Sequence, residues 1–298
     1  MRRLPAETWM VVVAVLWGSA FPVTGILLRD LPPLAAGGYR AALAVIALVV
    51  FAIVRGEGRL LRLPASHRLH LAGMVVLGGP VFLVGMNMGI ALTGASITTF
   101  VAGLYPLVAV VAAIVLFREP LTRSCVIGLS VAVAGVALLS RPGGAHVDLL
   151  GVGFALVAAL AFGTYLALTR RWGDPAALPP LTIAVWLLLT NVAVALVAQA
   201  LLDPAGLALS LSTVGALALV WLAIPASALP HVLVVTTLRR LSAARAAPFL
   251  LLMPISGAVL ASLLLGEQLD LGQLVGAGLI LVGVGLAVRP PSRPARVP

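Results

Sequence analysis

The chain has 298 residues, 62% hydrophobic and only 9% charged, with a mean hydropathy of +1.18; an ordinary soluble domain carries about 25% charged residues, so a soluble globular fold is excluded. Its net charge of +10 rests on 19 basic residues, all arginine and all scattered between apolar stretches, which leaves no basic face for nucleic acid. With Cys125 as its single cysteine, it can form neither an intrachain disulfide nor a thiol metal cluster or redox pair, and no cofactor is expected.

A helix needs about 20 consecutive apolar residues to cross a bilayer. Runs of that kind predict helices over 8–28, 34–54, 69–91, 95–117, 122–140, 148–169, 180–202, 213–236, 243–265 and 270–288. Arg2 and Arg3 precede the first run in the manner of a secretory leader. The run is too long for the apolar core of such a leader and lacks a convincing cleavage site, so it is read as a retained first helix. Breaks such as Arg29-Asp30-Leu31-Pro32-Pro33, Arg141-Pro142-Gly143-Gly144 and 174–180 are short and rich in Pro or Gly, as tight connections are. Ten spans put both termini on one side. With that side cytoplasmic, 16 of the 19 arginines fall inside and only Arg29, Arg40 and Arg141 outside, the asymmetry that orients membrane proteins. The expectation is a multi-pass protein of the cytoplasmic (inner) membrane with both termini cytoplasmic.

Shifted by 148 residues, the sequence lays Pro106 on Pro254, Glu119 on Glu267, Leu121 on Leu269, Gly128 on Gly276 and Gly135 on Gly283; shifted by 145, it lays Trp17-Gly18-Ser19 on Phe162-Gly163-Thr164. The predicted fold is an all-α integral membrane protein of ten transmembrane helices in two five-helix repeats, 1–145 and 146–298. Five is odd, so the second copy enters the membrane from the opposite side. Inverted repeats characterise secondary transporters, whose two similar halves exchange conformations to open each side in turn.

Several of these residues resemble the drug/metabolite transporter superfamily and its EamA-like permeases: Trp17-Gly18-Ser19, Arg40, Phe117-Arg118-Glu119-Pro120-Leu121 with Gly128 and Gly135, and Leu265-Gly266-Glu267-Gln268-Leu269 with Gly276 and Gly283. The resemblance spans nearly the whole chain, although helix 7 has no counterpart of Arg40. It implies an exporter or permease of small metabolites, with the amino-acid exporters of that superfamily as the nearest analogy.

His231 is placed deep in a span, where an ionisable group is costly and points to function; a neutral histidine bonded to a neighbouring helix is the competing reading. Asn87 and Asn191 are weaker cases of the same kind. Pro22, Pro80, Pro106, Pro225, Pro230 and Pro254 interrupt spans, each leaving a carbonyl without its helical donor. They are read as kinks or gating points, or as ordinary bends. Trp17 and Thr24, Thr98 and Tyr105, and Phe162, Tyr165 and Thr169 recur at helical spacings. With Asn87 and His231 they form the candidate substrate lining. Glycines such as Gly128, Gly135, Gly276 and Gly283 read as packing surfaces, and Glu119 and Glu267 as caps of the following helices.

The expected function is secondary transport or export of small metabolites, foremost neutral or aromatic amino acids, by alternating access. Another metabolite or a cationic drug is the alternative substrate. The partners are that small molecule and the lipid bilayer, with a monomer compatible with the sequence. A channel would show rings of carbonyls or like charges, and an intramembrane enzyme would have to be built on Ser227 and His231 with no third group in sight.

Overall fold

Every element among the described residues is helical, as lipid demands when it offers no water to backbone N–H and C=O groups. The structure is a computed structural model and describes residues 5–58, 68–94, 98, 101, 104–118, 122–139, 148–172, 178–241, 243–265 and 271–287. In chain order the helices are α1 (Ala6–Leu27), α2 (Pro33–Val54), α3 (Arg68–Val76), α4 (Phe82–Thr93), α5 (Tyr105–Phe117), α6 (Arg123–Leu139), α7 (Leu149–Trp172), α8 (Pro180–Leu202), α9 (Thr213–Ala223), α10 (Leu229–Leu238), α11 (Ala243–Leu250), α12 (Met253–Leu265) and α13 (Leu271–Ala287). Among the described residues six helical stretches are long and apolar enough to span a membrane: 6–27, 33–54, 68–93, 149–172, 180–202 and 213–238. Four shorter apolar helices of 10–17 residues accompany them.

The bundle exposes large apolar side chains and buries uncharged polar ones within its apolar core. Val54, Leu69 and Leu149 are 80%, 84% and 81% exposed, while Ser19, Thr24, Asn87, Thr98, Asn191, Ser227 and His231 are buried. In water that exterior would aggregate; against hydrocarbon it is the favourable surface. The chain is a membrane-spanning protein.

Local chemistry sets the helix ends. Pro33 and Pro180 open α2 and α8, where a missing N–H costs nothing. Asp148 Oδ1 accepts from the N–H groups of Leu150 and Gly151 to cap α7, and Thr122 Oγ1 accepts from Cys125 N to cap α6. Glu119 and Glu267, expected as caps, lie outside the described residues, as does the 145/146 boundary between the expected repeats. Arg118 ends α5 in the left-handed region at φ 54°.

Three breaks depart from the predicted straight spans. A π turn at Leu77–Val81 separates α3 from α4, and another at Ile224–Ala228 separates α9 from α10. They contain Pro80 and Pro225, which stand 145 residues apart. Each proline takes a donor out of the helical ladder, and the wider turn absorbs the defect. The third break, at Leu251–Leu252, divides the helix expected over 243–265: Leu251 N donates to the Pro248 carbonyl and Leu252 N to that of Phe249. Of the helix expected over 95–117, Thr98 and Val101 are helical, Leu104 is a turn residue and α5 runs from Tyr105.

Close crossings need small residues. A Cβ on Gly135 would stand 2.6 Å from the Gly276 carbonyl oxygen, and one on Gly283 2.5 Å from both Ala132 N and the Gly128 oxygen, so α6 and α13 meet backbone to backbone. The same holds where Gly18 of α1 faces the Met253 carbonyl of α12 at 2.4 Å, and where Gly163 of α7 faces the Tyr105 carbonyl of α5 at 2.6 Å.

Candidate functional site

Arg40 lies seven residues beyond Pro33, about 10 Å into α2 at 1.5 Å per residue. Its Nε donates to Ser227 Oγ at 2.6 Å and its Nη2 to the Ala226 carbonyl at 3.1 Å. Both acceptors belong to the second π turn. Pro230 has no N–H to return to Ala226 four residues earlier, and the guanidinium takes up that carbonyl. One turn on, His231 Nδ1 sits 2.7 Å from the Ser227 carbonyl. A carbonyl only accepts, so Nδ1 carries the hydrogen and the neutral ring presents the Nε2 lone pair on its other side.

These groups close around a cavity of about 20 Å³ lined by Gly37, Arg40 and Ala41 of α2, Gly78 of the first π turn, Phe82 and Leu83 of α4, Leu188 and Asn191 of α8, and Ser227 and His231. That volume holds about one water, so the site is shut in this conformation. The buried Asn191 Oδ1 has no hydrogen-bond partner. Glycine builds the first π turn's wall: a Cβ on Gly78 would stand 2.4 Å from the Tyr165 ring, and Gly79, at φ −99° and ψ −110°, leaves the helical region so that α8 can approach.

An aromatic cluster backs the cavity. Phe82 stacks on Phe162 at 4.2 Å between centroids; Trp17 meets Phe162 edge-on at 5.2 Å and His231 at 5.7 Å; Tyr105 and Tyr165 flank Phe162 at 5.2 and 5.4 Å. Tyr105 also donates to Met253 Sδ.

A cleft of about 620 Å³ opens at the end of the bundle carrying the α1–α2 connection, lined by Gly25, Leu28–Pro33, Ile90, Ala91 and Gly94. Asn87 Nδ2 donates to the Pro33 carbonyl at 2.9 Å, tying α4 to α2 beside the cleft. At this end Asp30 Oδ2 accepts from Ser212 N and Oγ at 2.9 and 2.7 Å. The opposite end is joined by Arg245–Glu7 at 2.9 Å and by Arg239 donating to the Leu178 carbonyl.

Of the residues singled out from sequence, His231 lines the cavity, and Trp17, Phe162, Tyr105 and Tyr165 join it through ring contacts. Thr24, Asn87, Thr98 and Thr169 are buried but outside its lining. Pro80 and Pro225 sit in the π turns; Pro106, Pro230 and Pro254 are each second in a helix; Pro22 lies inside an uninterrupted α1. Sequence reasoning set Arg40 near the outer face, treated Asn191 as a minor case and passed over Phe82. Counting turns from Pro33 would have found Arg40's depth; nothing in sequence marks Phe82 apart from its place two residues beyond Pro80. Ser227 and His231, once paired as a possible nucleophile and base, are engaged otherwise: the hydroxyl by Arg40, the imidazole Nδ1 by a carbonyl.

A bundle lipophilic outside, with a small cavity that brings Arg40, Asn191, Ser227 and His231 against apolar side chains and a cleft at one end, is built like a membrane transporter. Comparison with known proteins is consistent with that class. The EamA-like transporter family model matches residues 4–141 and again 149–289, and the chain belongs to that family, within the drug/metabolite transporter superfamily. It is 25% identical over 95% of its length, and 99% of the relative's, to an "Uncharacterized transporter" of Archaeoglobus fulgidus. It is 27% identical over 93% of its length, and 92% of the relative's, to a "Probable amino-acid metabolite efflux pump" of Salmonella typhimurium. A solved crystal structure at 19% identity superposes with a TM-score of 0.78, covering 95% of this chain and 96% of that one, which speaks to the fold alone.

Proposed function

We propose that this transporter is a secondary carrier that exports neutral or aromatic amino acids, or a closely related small metabolite, by alternating access. The carrying observation is the cavity closed between two proline-bearing π turns, where a few polar groups meet an aromatic wall. Wide turns are local weak points in a helical ladder, and two of them beside one site let each half bend around it. The name of the Salmonella relative, an amino-acid metabolite efflux pump, supports amino-acid metabolites as the substrate class.

The same reading has ten spans in two inverted halves of the cytoplasmic membrane, both termini cytoplasmic and the cleft facing out. Supporting it, α5 and α12 have 13 residues each and α6 and α13 have 17 each, every pair offset by 148. Gly18 and Gly163, 145 apart, face Met253 and Tyr105, 148 apart. Each half thus sets its first helix against the other half's fourth.

Counterflow of labelled L-leucine and L-phenylalanine into proteoliposomes of the purified chain tests the substrate class: saturable exchange is expected, and failure of every neutral amino acid overturns it. For topology, a cysteine at position 59 in a Cys125→Ala background is expected to resist an impermeant reagent in intact cells. Its labelling from outside reverses the orientation.

A further inference from the structure

Among the described residues Arg40 forms no ion pair. Among the described residues the ion pairs are Arg55–Glu57 and Arg245–Glu7, both at the ends of the bundle, whereas Arg40 stands about 10 Å inside a spanning helix. Its hydrogen bonds among the described residues go to neutral oxygens, the Ser227 hydroxyl and the Ala226 carbonyl. Holding a guanidinium at membrane depth on neutral acceptors is expensive, and it stays charged there. Packing alone would be met more cheaply by leucine, the residue 148 positions on, where Leu188 faces the same cavity. Five N–H donors in a planar fork match the two oxygens of a carboxylate, and two are used.

The rest of the lining complements such a ligand. Asn191 Oδ1 is buried, unpartnered and on the cavity, and His231 Nε2 offers a second acceptor once Nδ1 is held by Ser227. Both suit an ammonium group. Phe82 and Leu83 supply the apolar side. Charge, acceptors and an apolar side together are the groups that a zwitterionic amino acid calls for.

We infer that Arg40 is the carboxylate anchor of the cavity, so that the carrier takes small monocarboxylates with an apolar or aromatic tail and rejects the same molecules without the carboxylate. The inference rests on the carrier reading above but makes the carboxylate, and not the amino group, the obligatory feature. Ser227 and the Ala226 carbonyl hold the guanidinium in place; a carboxylate binds the remaining donors of the fork.

Two matched series on the purified full-length protein decide it: L-phenylalanine, 3-phenylpropionate, phenethylamine and L-phenylalaninamide; and L-leucine, 4-methylpentanoate, isoamylamine and L-leucinamide. Ligand-induced rise of the thermal midpoint reads binding without a known substrate, and competition with labelled L-phenylalanine or L-leucine in proteoliposomes reads transport. In the wild type the acids are expected to stabilise and compete, and the amines and amides to do neither. Arg40→Gln should weaken binding of the acids by about 10- to 100-fold, as loss of a charge-assisted bond does, with Arg40→Lys in between because it keeps the charge and loses the fork. Amides that act as well as the parent amino acids overturn the anchor and leave the amino-acid reading standing. A rise of the thermal midpoint with 3-phenylpropionate, without exchange of either amino acid, does the reverse. Should Arg40→Gln fail to fold, wild-type discrimination within each series still decides. A folded Arg40→Gln with unchanged affinity, or absence of any carboxylate effect, sinks the inference.

Discussion

The pair α6 and α13 and the junction of α2, α8 and the two π turns solve opposite problems in the same solvent. In the pair, glycine faces backbone and no polar side chain is needed between Gly128, Gly135 and Gly283 and their neighbours. Lipid tails are as apolar as leucine, so close van der Waals approach does most of the holding, with Ser124 Oγ of α6 donating to the Leu286 carbonyl of α13 beside it. At the junction the contacts are polar and directional, backbone donors are missing at Pro80, Pro225 and Pro230, and a cavity is left. Small, uniform contacts make a rigid clamp; interrupted ladders with side-chain bonds make a joint. On the proposed alternating access, the difference sets where the molecule holds still and where it bends.

Substitution in the clamp should have the largest effect. Gly135→Leu or Gly283→Leu puts a branched side chain where a bare Cβ already stands about 2.5 Å from backbone atoms, and loss of monodisperse folded protein in size-exclusion chromatography is the expected outcome. Even alanine there should cost about 1–3 kcal/mol of stability. Folded, stable leucine variants would mean that the pair is not clamped as described.

At the joint, Pro80→Ala and Pro225→Ala restore donors and should stiffen the spans. The protein is expected to remain folded with turnover lowered by about tenfold, the size of a change of 1.4 kcal/mol in a barrier, and with KM changed less. Pro106→Ala and Pro254→Ala should slow exchange less, because each proline is second in its helix, where its N–H has no helical partner. Equal turnover in the double mutant Pro80→Ala, Pro225→Ala and the wild type would make the π turns a packing detail.

Between clamp and joint lie the end contacts. Asp30→Ala removes an acceptor shared by Ser212 N and Oγ, worth about 1 kcal/mol, and should alter the apparent affinity from the cleft side by a few-fold in counterflow. Glu7→Gln breaks an ion pair whose partners are 62% and 36% exposed; at most about 1 kcal/mol rides on it, and thermal unfolding should barely move. A large loss from either would show that the ends, not the centre, govern the equilibrium.

The helices were legible in sequence because the bilayer imposes its own ruler: the run predicted at 180–202 is α8 as found, and 34–54 misses α2 by one residue. The breaks were less so. Proline announces that a donor is missing, but whether the chain answers with a π turn, as at Pro80, or with a continuous helix, as at Pro22, depends on what packs alongside. Gly79 could leave the helical region and admit α8; Pro22 lies between Phe21 and Val23, buried in α1. The gap at Leu251–Leu252 carries no local mark except Pro248 three residues before. In the site, His231 was conspicuous because ionisable groups are rare in a span. Asn191, Ser227 and Phe82 became lining only when α8 and the second π turn were set beside α2, which is tertiary information.

A centre with room for one water has a thermodynamic consequence for every binding experiment. A ligand the size of an amino acid enters only molecules that have already widened, so the measured dissociation constant is the intrinsic one divided by the fraction of widened molecules. Two variants with identical contacts to the ligand can therefore differ in apparent affinity, and one that loosens the far ends can bind more tightly than the wild type. Affinity in this carrier reports an equilibrium of shapes as much as a set of contacts.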